Sequence, residues 1–523
     1  MGRVNHYQPE DMDVRERDEP TEDITGLVPS EDEEPGSTPT QRIGLAAGLA
    51  LFVLMRLLPE PAALSVEGWA VAGVAILMAV WWLTEAVPIP VTAMLPLVLF
   101  PLLGVATMAR AAAPYANEAI YLFMGGFFIG KAIEKWSLHR RIALAIIFGI
   151  GTSPRRLLLG VMVATAVISM WISNTATAAM MLPIALSLGH MFRPSDDGSM
   201  PQKPYNFGIA LMLGVAYAAS IGGVGTLIGT PPNILFAAAA SELLGVRISL
   251  LKWMMVGVPV TCIMLPLTWL ILLKVYPPEK LGGDAHAAIE EQRKLIGPPS
   301  SAERFVGLVF AFTVLAWVMR APKVLGAVSV PGIATFFPGV TDGTIAMLAA
   351  LVLFVVPLDW RRGHVALDWG TAVTIPWGVL VLFGGGLALA DAMGGTDLSE
   401  WLGSGVAILA GAPMIVMLAS ATVLFIFLGE VTSNTAMTAM ALPVMAGMAA
   451  PVGIPPLVLM GTVAIACSMG FCLPAGTPPN AIVFGSGYIT IGQMVRAGIW
   501  VDVLSVTVVT LVATFLLPVI FGS

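Results

Sequence analysis

Charged side chains are what this sequence holds least of: 33 Asp and Glu with 26 Lys and Arg, 11% of 523 residues, against roughly a quarter in soluble globular proteins. With 57% hydrophobic residues and a mean hydropathy of +0.86, that shortage excludes an ordinary water-soluble fold and predicts a polytopic membrane protein. Cysteine is scarce as well. Cys262, Cys467 and Cys472 all lie in apolar segments, so no disulfide framework is expected. The five histidines are scattered without metal-ligand spacing, which argues against a zinc site. No Ser-His, Ser-Lys or paired-Asp constellation falls in matching apolar segments, so no enzyme is expected. Alternating barrel-type strands are missing too, and no nucleic-acid partner is expected.

What charge there is gathers at the start. Residues 1–40 are rich in Asp and Glu and almost devoid of large apolar residues, and they read as a disordered cytoplasmic tail. They lack the basic leader and apolar core of a secretory signal. Beyond them, apolar runs near the roughly 20 residues that cross a bilayer recur to the end of the chain. Hydropathy and turn signals predict spans near 43–58, 68–86, 90–105 and 117–134, then an amphipathic basic stretch with Lys135, Arg140 and Arg141. An interrupted stretch follows at 156–190, a broken span at 207–243 and a span at 253–275. After a polar segment, 276–304, come spans near 305–320, 342–357 and 371–393, an interrupted stretch at 412–450, a broken span at 456–488 and a last span at 497–521. The expected fold is all-α, with about eleven crossings and two re-entrant hairpins.

Polar residues interrupt those runs twice in the same words. Ser173-Asn174-Thr175 returns 260 residues later as Ser433-Asn434-Thr435, followed in register by Pro183 and Pro443. Gly229-Thr230-Pro231-Pro232-Asn233 returns as Gly476-Thr477-Pro478-Pro479-Asn480. Each Ser-Asn-Thr divides its stretch into arms of about 15 residues, too short to cross, so each pair of arms reads as a hairpin entering and leaving on one side. Five crossings in each half make the two halves antiparallel, an inverted repeat. With a cytoplasmic N-terminus, the inner loops receive Lys135, Arg140, Arg141, Arg155, Arg156, Arg193, Lys203, Lys280, Arg293, Lys294, Arg304, Arg361, Arg362 and Arg496. The outer side receives mainly Arg110, Arg247, Lys252, Arg320 and Lys323, in keeping with the positive-inside rule.

Ser, Asn and Thr at a helix break supply hydroxyls and amides, and unwinding frees backbone N–H and C=O groups. Helix N-termini favour a carboxylate, while carbonyls and helix C-termini suit a small hard cation. Two such tips meeting near the midplane suit a ligand anionic at both ends. Neither motif holds Lys or Arg, so co-bound cations are the expected charge balance, because an unpaired charge in low dielectric is very costly.

The two Ser-Asn-Thr tips, the two Thr-Pro-Pro-Asn loops and Thr84-Glu85-Ala86-Val87-Pro88 resemble the divalent anion/sodium symporter family of di- and tricarboxylate and sulfate transporters, over residues 40 to 523. The resemblance implies a homodimer in which each protomer joins a scaffold to a transport domain that moves as an elevator. It implies substrate contacts at Ser173, Asn174, Thr175, Thr230, Pro231, Ser433, Asn434, Thr435, Thr477 and Pro478. It further implies one Na+ site at Ser169, Ser173, Asn174 and Gly229 and a second at Gly429, Thr432, Asn434 and Gly476, with Na+ the co-transported ion. Gly429 departs from the family, which often has Thr there. Segments 41–134 and 305–393 are expected to form the scaffold, 135–275 and 394–523 the transport domain, and 276–304 a cytoplasmic linker.

Glu430 beside the second tip is expected either to serve a proton or cation or to hydrogen-bond the hairpin backbone. Gly125-Gly126 and Gly384-Gly385-Gly386 are expected to allow close helix packing, Glu85 to cap a span and Trp81-Trp82 to anchor at the interface. The run from Gly222 to Gly229 has no preceding strand, so it is not a nucleotide loop. The expected activity is sodium-coupled symport of succinate, malate or fumarate in a bacterial inner membrane. Sodium-independent exchange, or citrate or sulfate transport, stands as the alternative.

Overall fold

The computed structural model describes residues 37–191, 205–279, 297–325, 328–359, 361, 363–406 and 411–522. The acidic residues before position 37, the loop around Arg193–Lys203, and Lys280, Arg293, Lys294 and Arg362 lie outside the described residues. Nearly everything described is helical. In the first half the principal helices are α1 (Pro39–Leu57), α2 (Val66–Thr84), α3 (Leu95–Leu102), α4 (Glu118–Lys135), α5 (Leu138–Ile150), α6 (Pro154–Ser169), α7 (Asn174–Met191), α8 (Asn206–Gly223), α9 (Pro231–Leu244) and α10 (Leu250–Val275). The second half holds α11 (Ser301–Met319), α12 (Asp342–Val355), α13 (Trp377–Gly395), α14 (Leu398–Val406), α15 (Met414–Gly429), α16 (Asn434–Ala449), α17 (Pro456–Ala466), α18 (Pro478–Gly485) and α19 (Ile491–Phe515). Among the described residues seven helical segments are long and apolar enough to cross a membrane, and α7, α12, α15 and α17 include shorter apolar helices.

Local chemistry sets several boundaries. Thr38 and Gln41, Ser300 and Glu303, and Thr490 and Gln493 form reciprocal capping boxes that start α1, α11 and α19. Because of the first two, α1 begins at Pro39 and α11 at Ser301, inside segments expected to be tail and linker. The basic stretch after residue 134 is a separate helix, α5, set off by Ser137 in the left-handed region at φ 53°. Two small antiparallel strand pairs, Lys323–Leu325 with Val328–Val330 and Pro357–Asp359 with His364–Val365, lie outside the helical plan expected from sequence.

Burial sorts the helices. In its most apolar window α8 is 94% buried and α1 only 17%, so α8 forms the centre and α1 lies at the periphery. The halves then pack crosswise: α7 lies against α18, and α9 against α16 and α17. In a third contact α4 runs along α12, where the backbone of Ala346 approaches Gly125 so closely that a side chain there would collide with it. Trp82 is not an interfacial anchor: it is 2% exposed, and its indole donates to Ile89 O at 3.1 Å.

Ion pairs fall into two sets. Lys135 pairs with Asp368 at 2.6 Å and Arg141 with Glu303 at 2.9 Å at one end of the bundle. Arg110 pairs with Asp391 at 3.2 Å and Arg320 with Asp342 at 2.5 Å at the other. Among the described residues no pair joins the two sets. The Lys135 ammonium, with the Thr371 N–H and hydroxyl, holds the exposed Asp368 carboxyl well below the usual carboxylate range, so this pair persists throughout the neutral pH range.

Candidate functional site

Each Ser-Asn-Thr sits at a four-residue break between two helical arms, Met170–Ser173 between α6 and α7 and Glu430–Ser433 between α15 and α16. The chain turns because Ser173 and Ser433 start the returning arms: their hydroxyls accept from Ala176 N at 3.3 Å and from Ala436 N at 3.4 Å. Asn174 with Thr175, and Asn434 with Thr435, therefore occupy the first helical turn, where backbone N–H groups have no intrahelical acceptor.

The broken spans match as closely. Thr230 has φ −143° and ψ 145°, and Thr477 φ −143° and ψ 149°. The prolines behind each open a new helix at its first positions, where their missing N–H is harmless. Asn233 donates to Gly223 O at 3.0 Å and Thr226 O at 2.7 Å, spanning the gap, and Asn480 donates to Gly470 O at 3.4 Å and Leu473 O at 3.0 Å. Both asparagines are fully buried. Neither was assigned a role from sequence, although both end the duplicated motif. A neighbouring helix presses on each break: a Cβ on Gly257 of α10 would stand 2.3 Å from Val224 O, and one on Gly498 of α19 2.3 Å from Phe471 O.

Near the first tip, Ser169 Oγ donates to Ala219 O at 2.7 Å, and the Asn174 carboxamide faces Ser169 Oγ, Ala219 O and Gly229 O. With its nitrogen inward, the amide donates to all three, at 2.8, 3.1 and 3.2 Å. With its oxygen inward, only the Ser169 hydroxyl can donate to it, at 2.8 Å. Such a ring of oxygens is what a small hard cation coordinates. Near the second tip, Asn434 Oδ1 is buried and accepts no hydrogen bond. A Cβ on Gly429 would lie 3.3 Å from it and 3.5 Å from Cys467 O, so the place of the missing hydroxyl is already edged by oxygens. The Thr432 hydroxyl turns back to Leu428 O at 2.8 Å.

The two tips open differently. Thr432, Ser433, Asn434, Thr435, Gly476, Thr477 and Pro478 line one cavity of about 580 Å3, within the size range of small-ligand pockets. Its opposite wall is Thr38, Gln41, Thr84 and Glu85, the last in the left-handed region at φ 47° as the cap of α2. Asn174, Thr175, Thr230 and Pro231 are not on that wall. Ser173 lines a separate pocket of about 40 Å3, with Trp171 stacked 6.3 Å from Trp317 beside it. The halves meet where Ser220 Oγ donates to Thr477 Oγ1 at 3.4 Å, one residue after Ala219 at the first tip.

Glu430 hydrogen-bonds not to its own hairpin but to the second break, accepting from Cys472 N at 2.8 Å and Leu473 N at 2.7 Å. Asp502 of α19, which attracted no notice in the sequence, accepts from Phe471 N at 3.0 Å and from Cys472 Sγ at 2.8 Å. The signal was present as a lone acid in the last apolar span.

A family profile described as the sodium:sulfate symporter transmembrane region matches residues 40–521. The chain belongs to the sodium:sulfate symporter family. Relatives include a Staphylococcus saprophyticus protein named sodium-dependent dicarboxylate transporter SdcS, 40% identical over 487 residues and 92% of each chain. A Staphylococcus aureus protein of the same name is 40% identical over 492 residues, again 92% of each chain. The solved structure of the Alcanivorax borkumensis YdaH transporter aligns over 92% of this chain and 98% of its own, with a TM-score of 0.55 and 15% identity; that likeness concerns the fold alone. Membership makes this chain a multi-pass membrane transporter rather than an enzyme.

Proposed function

We propose that this member of the sodium:sulfate symporter family is a secondary active transporter that couples inward Na+ movement to uptake of C4-dicarboxylates such as succinate, malate and fumarate. Asn434 carries the reading: a buried amide oxygen with no hydrogen donor, close to a backbone carbonyl and next to a helix N-terminus, suits a cation on one side and an anion on the other. The naming of the SdcS relatives supports sodium and a dicarboxylate.

In this account Ser169, Ser173, Asn174 and Gly229 hold one Na+, and Gly429, Thr432, Asn434 and Gly476 the second. Ser173, Asn174, Thr175, Thr230, Pro231, Ser433, Asn434, Thr435, Thr477 and Pro478 meet the substrate. The first-turn N–H groups of α7 and α16 receive its carboxylates. Na+ binds first, because the dianion meets no Lys or Arg in either motif and needs positive charge before it enters low dielectric. The loaded domain, 135–275 with 394–523, then slides against a scaffold of 41–134 with 305–393. The scaffold carries the contact between protomers of a homodimer, and the N-terminus faces the cytoplasm of a bacterial inner membrane. The cavity shared by the second tip and the start of α1 then opens inward.

Gly429 favours one rival, sodium-independent dicarboxylate exchange, because it removes a hydroxyl from the second cation set. Labelled succinate uptake into proteoliposomes separates the two. Symport predicts accumulation under an inward Na+ gradient with no internal dicarboxylate; equal uptake in Na+ and choline, driven only by internal succinate, would establish exchange instead. Citrate and sulfate as competitors in the same assay rank the remaining substrates.

A further inference from the structure

The two breaks have matching backbones but differ in charge. In the first half, the residue of α10 beside the break is Thr261, whose hydroxyl donates to Ile221 O at 3.0 Å, and the tip residue is Met170, whose carbonyl accepts from the Thr226 hydroxyl. In the second half the matching positions are acids. Asp502 stands 241 residues after Thr261, the same offset that relates Gly498 to Gly257, and Glu430 stands 260 after Met170. Their carboxylates take hydrogen bonds from three consecutive backbone N–H groups, Phe471, Cys472 and Leu473. Glu430 is 5% and Asp502 7% exposed, and with Cys472 Sγ their ligand atoms lie within 4.8 Å of one another. From His364 to the end of the chain the sequence holds a single Lys or Arg, Arg496, and its guanidinium lies 5.8 Å from the Tyr276 ring.

We propose that Asp502 and Glu430 are positioning residues for the second cation site, and that they make that site, rather than the first, the one that sets the apparent Na+ affinity of transport. The inference rests on the sodium-coupled reading above. Glu430 follows Gly429 directly, and a Cβ on Gly476 would stand 2.7 Å from its Oε2, so the carboxylate fixes the hairpin tip against the loop that presents Gly476. Asp502 secures the same loop from the other side, through Phe471 and Cys472. Two buried carboxyls this close share one negative charge rather than carrying two; charge-assisted hydrogen bonds to backbone N–H groups are among the stronger ones, and that one charge beside a ring of oxygens raises its attraction for a cation. Among the described residues the first site has neither support and relies on hydroxyls, the Asn174 carboxamide and backbone carbonyls.

The test uses the full chain in proteoliposomes, with succinate uptake measured against Na+ at saturating succinate and against succinate at saturating Na+. For Asp502→Asn, half-saturating Na+ should rise about tenfold, as loss of one charge-assisted contact predicts, while half-saturating succinate at high Na+ stays near the wild-type value. Asp502→Glu should recover most of the Na+ affinity. Thr261→Val, the matched change in the first half, should leave half-saturating Na+ near wild type. Glu430→Gln is read by the same criteria, so the outcome stands even where one variant does not fold, and Na+-induced thermal stabilisation of the purified protein gives a second readout independent of flux. Unchanged Na+ dependence in a folded Asp502→Asn or Glu430→Gln protein, or equal weakening of Na+ and succinate, would overturn the proposal. Wild-type uptake indifferent to Na+ would instead remove the sodium-coupled reading beneath it.

Discussion

Asn174 and Asn434 are a matched pair of carboxamides in unlike surroundings, one ringed by Ser169, Ala219 and Gly229, the other on the wall of an open cavity with its oxygen lacking a donor. In the proposed sites, replacing either with Ala removes a side-chain amide assigned to both cation and anion. Each variant should lose uptake to less than roughly a tenth of wild type, since a lost contact to a charged group costs a factor of ten or more, while remaining folded in detergent by size-exclusion chromatography. These residues were legible in sequence because amides and hydroxyls are conspicuous against apolar runs and because the words recur. Asn233 and Asn480 belong to the same duplicated motif, yet their work, bridging carbonyls across a gap, shows only once the gap has a shape. Asp502 stands out in sequence only as a lone acid in an apolar span, because its partners, Phe471 and Cys472, reach it through the fold from a different span.

At the scale of elements, hydropathy located the helices well, and the Ser-Asn-Thr breaks fall where the duplicated words place them. What it missed was governed by side-chain caps and packing: α1 and α11 start early at their capping boxes, and α5 stands apart from α4 behind Ser137. The breaks depend on neighbours as well as on proline. α10 and α19 come so close to the unwound segments that only glycine fits at Gly257 and Gly498. Gly498→Ala should therefore destabilise the protein by about 1–3 kcal/mol, the usual cost of overpacking a well-filled interior, and lower its melting temperature. A change to Ala at Val519, 73% exposed, should do neither, which makes Val519→Ala the control.

For the whole molecule, α7 packs on α18 and α9 on α16, so the duplicated motifs of the two halves lie on helices that touch. The two tips differ, one facing a cavity of about 580 Å3 and the other a pocket of about 40 Å3, and the proposed transport cycle reads the larger as the open side. Coupling between ion and substrate is reciprocal by thermodynamic necessity: if Na+ draws succinate in, succinate must draw Na+ in. The most direct measurement is entry of radioactive Na+ into proteoliposomes driven by an inward succinate gradient, with no Na+ gradient imposed. The account predicts succinate-driven Na+ entry in the wild type and none in Asn434→Ala. Succinate entering the wild type while Na+ stays at its equilibrium distribution would contradict it.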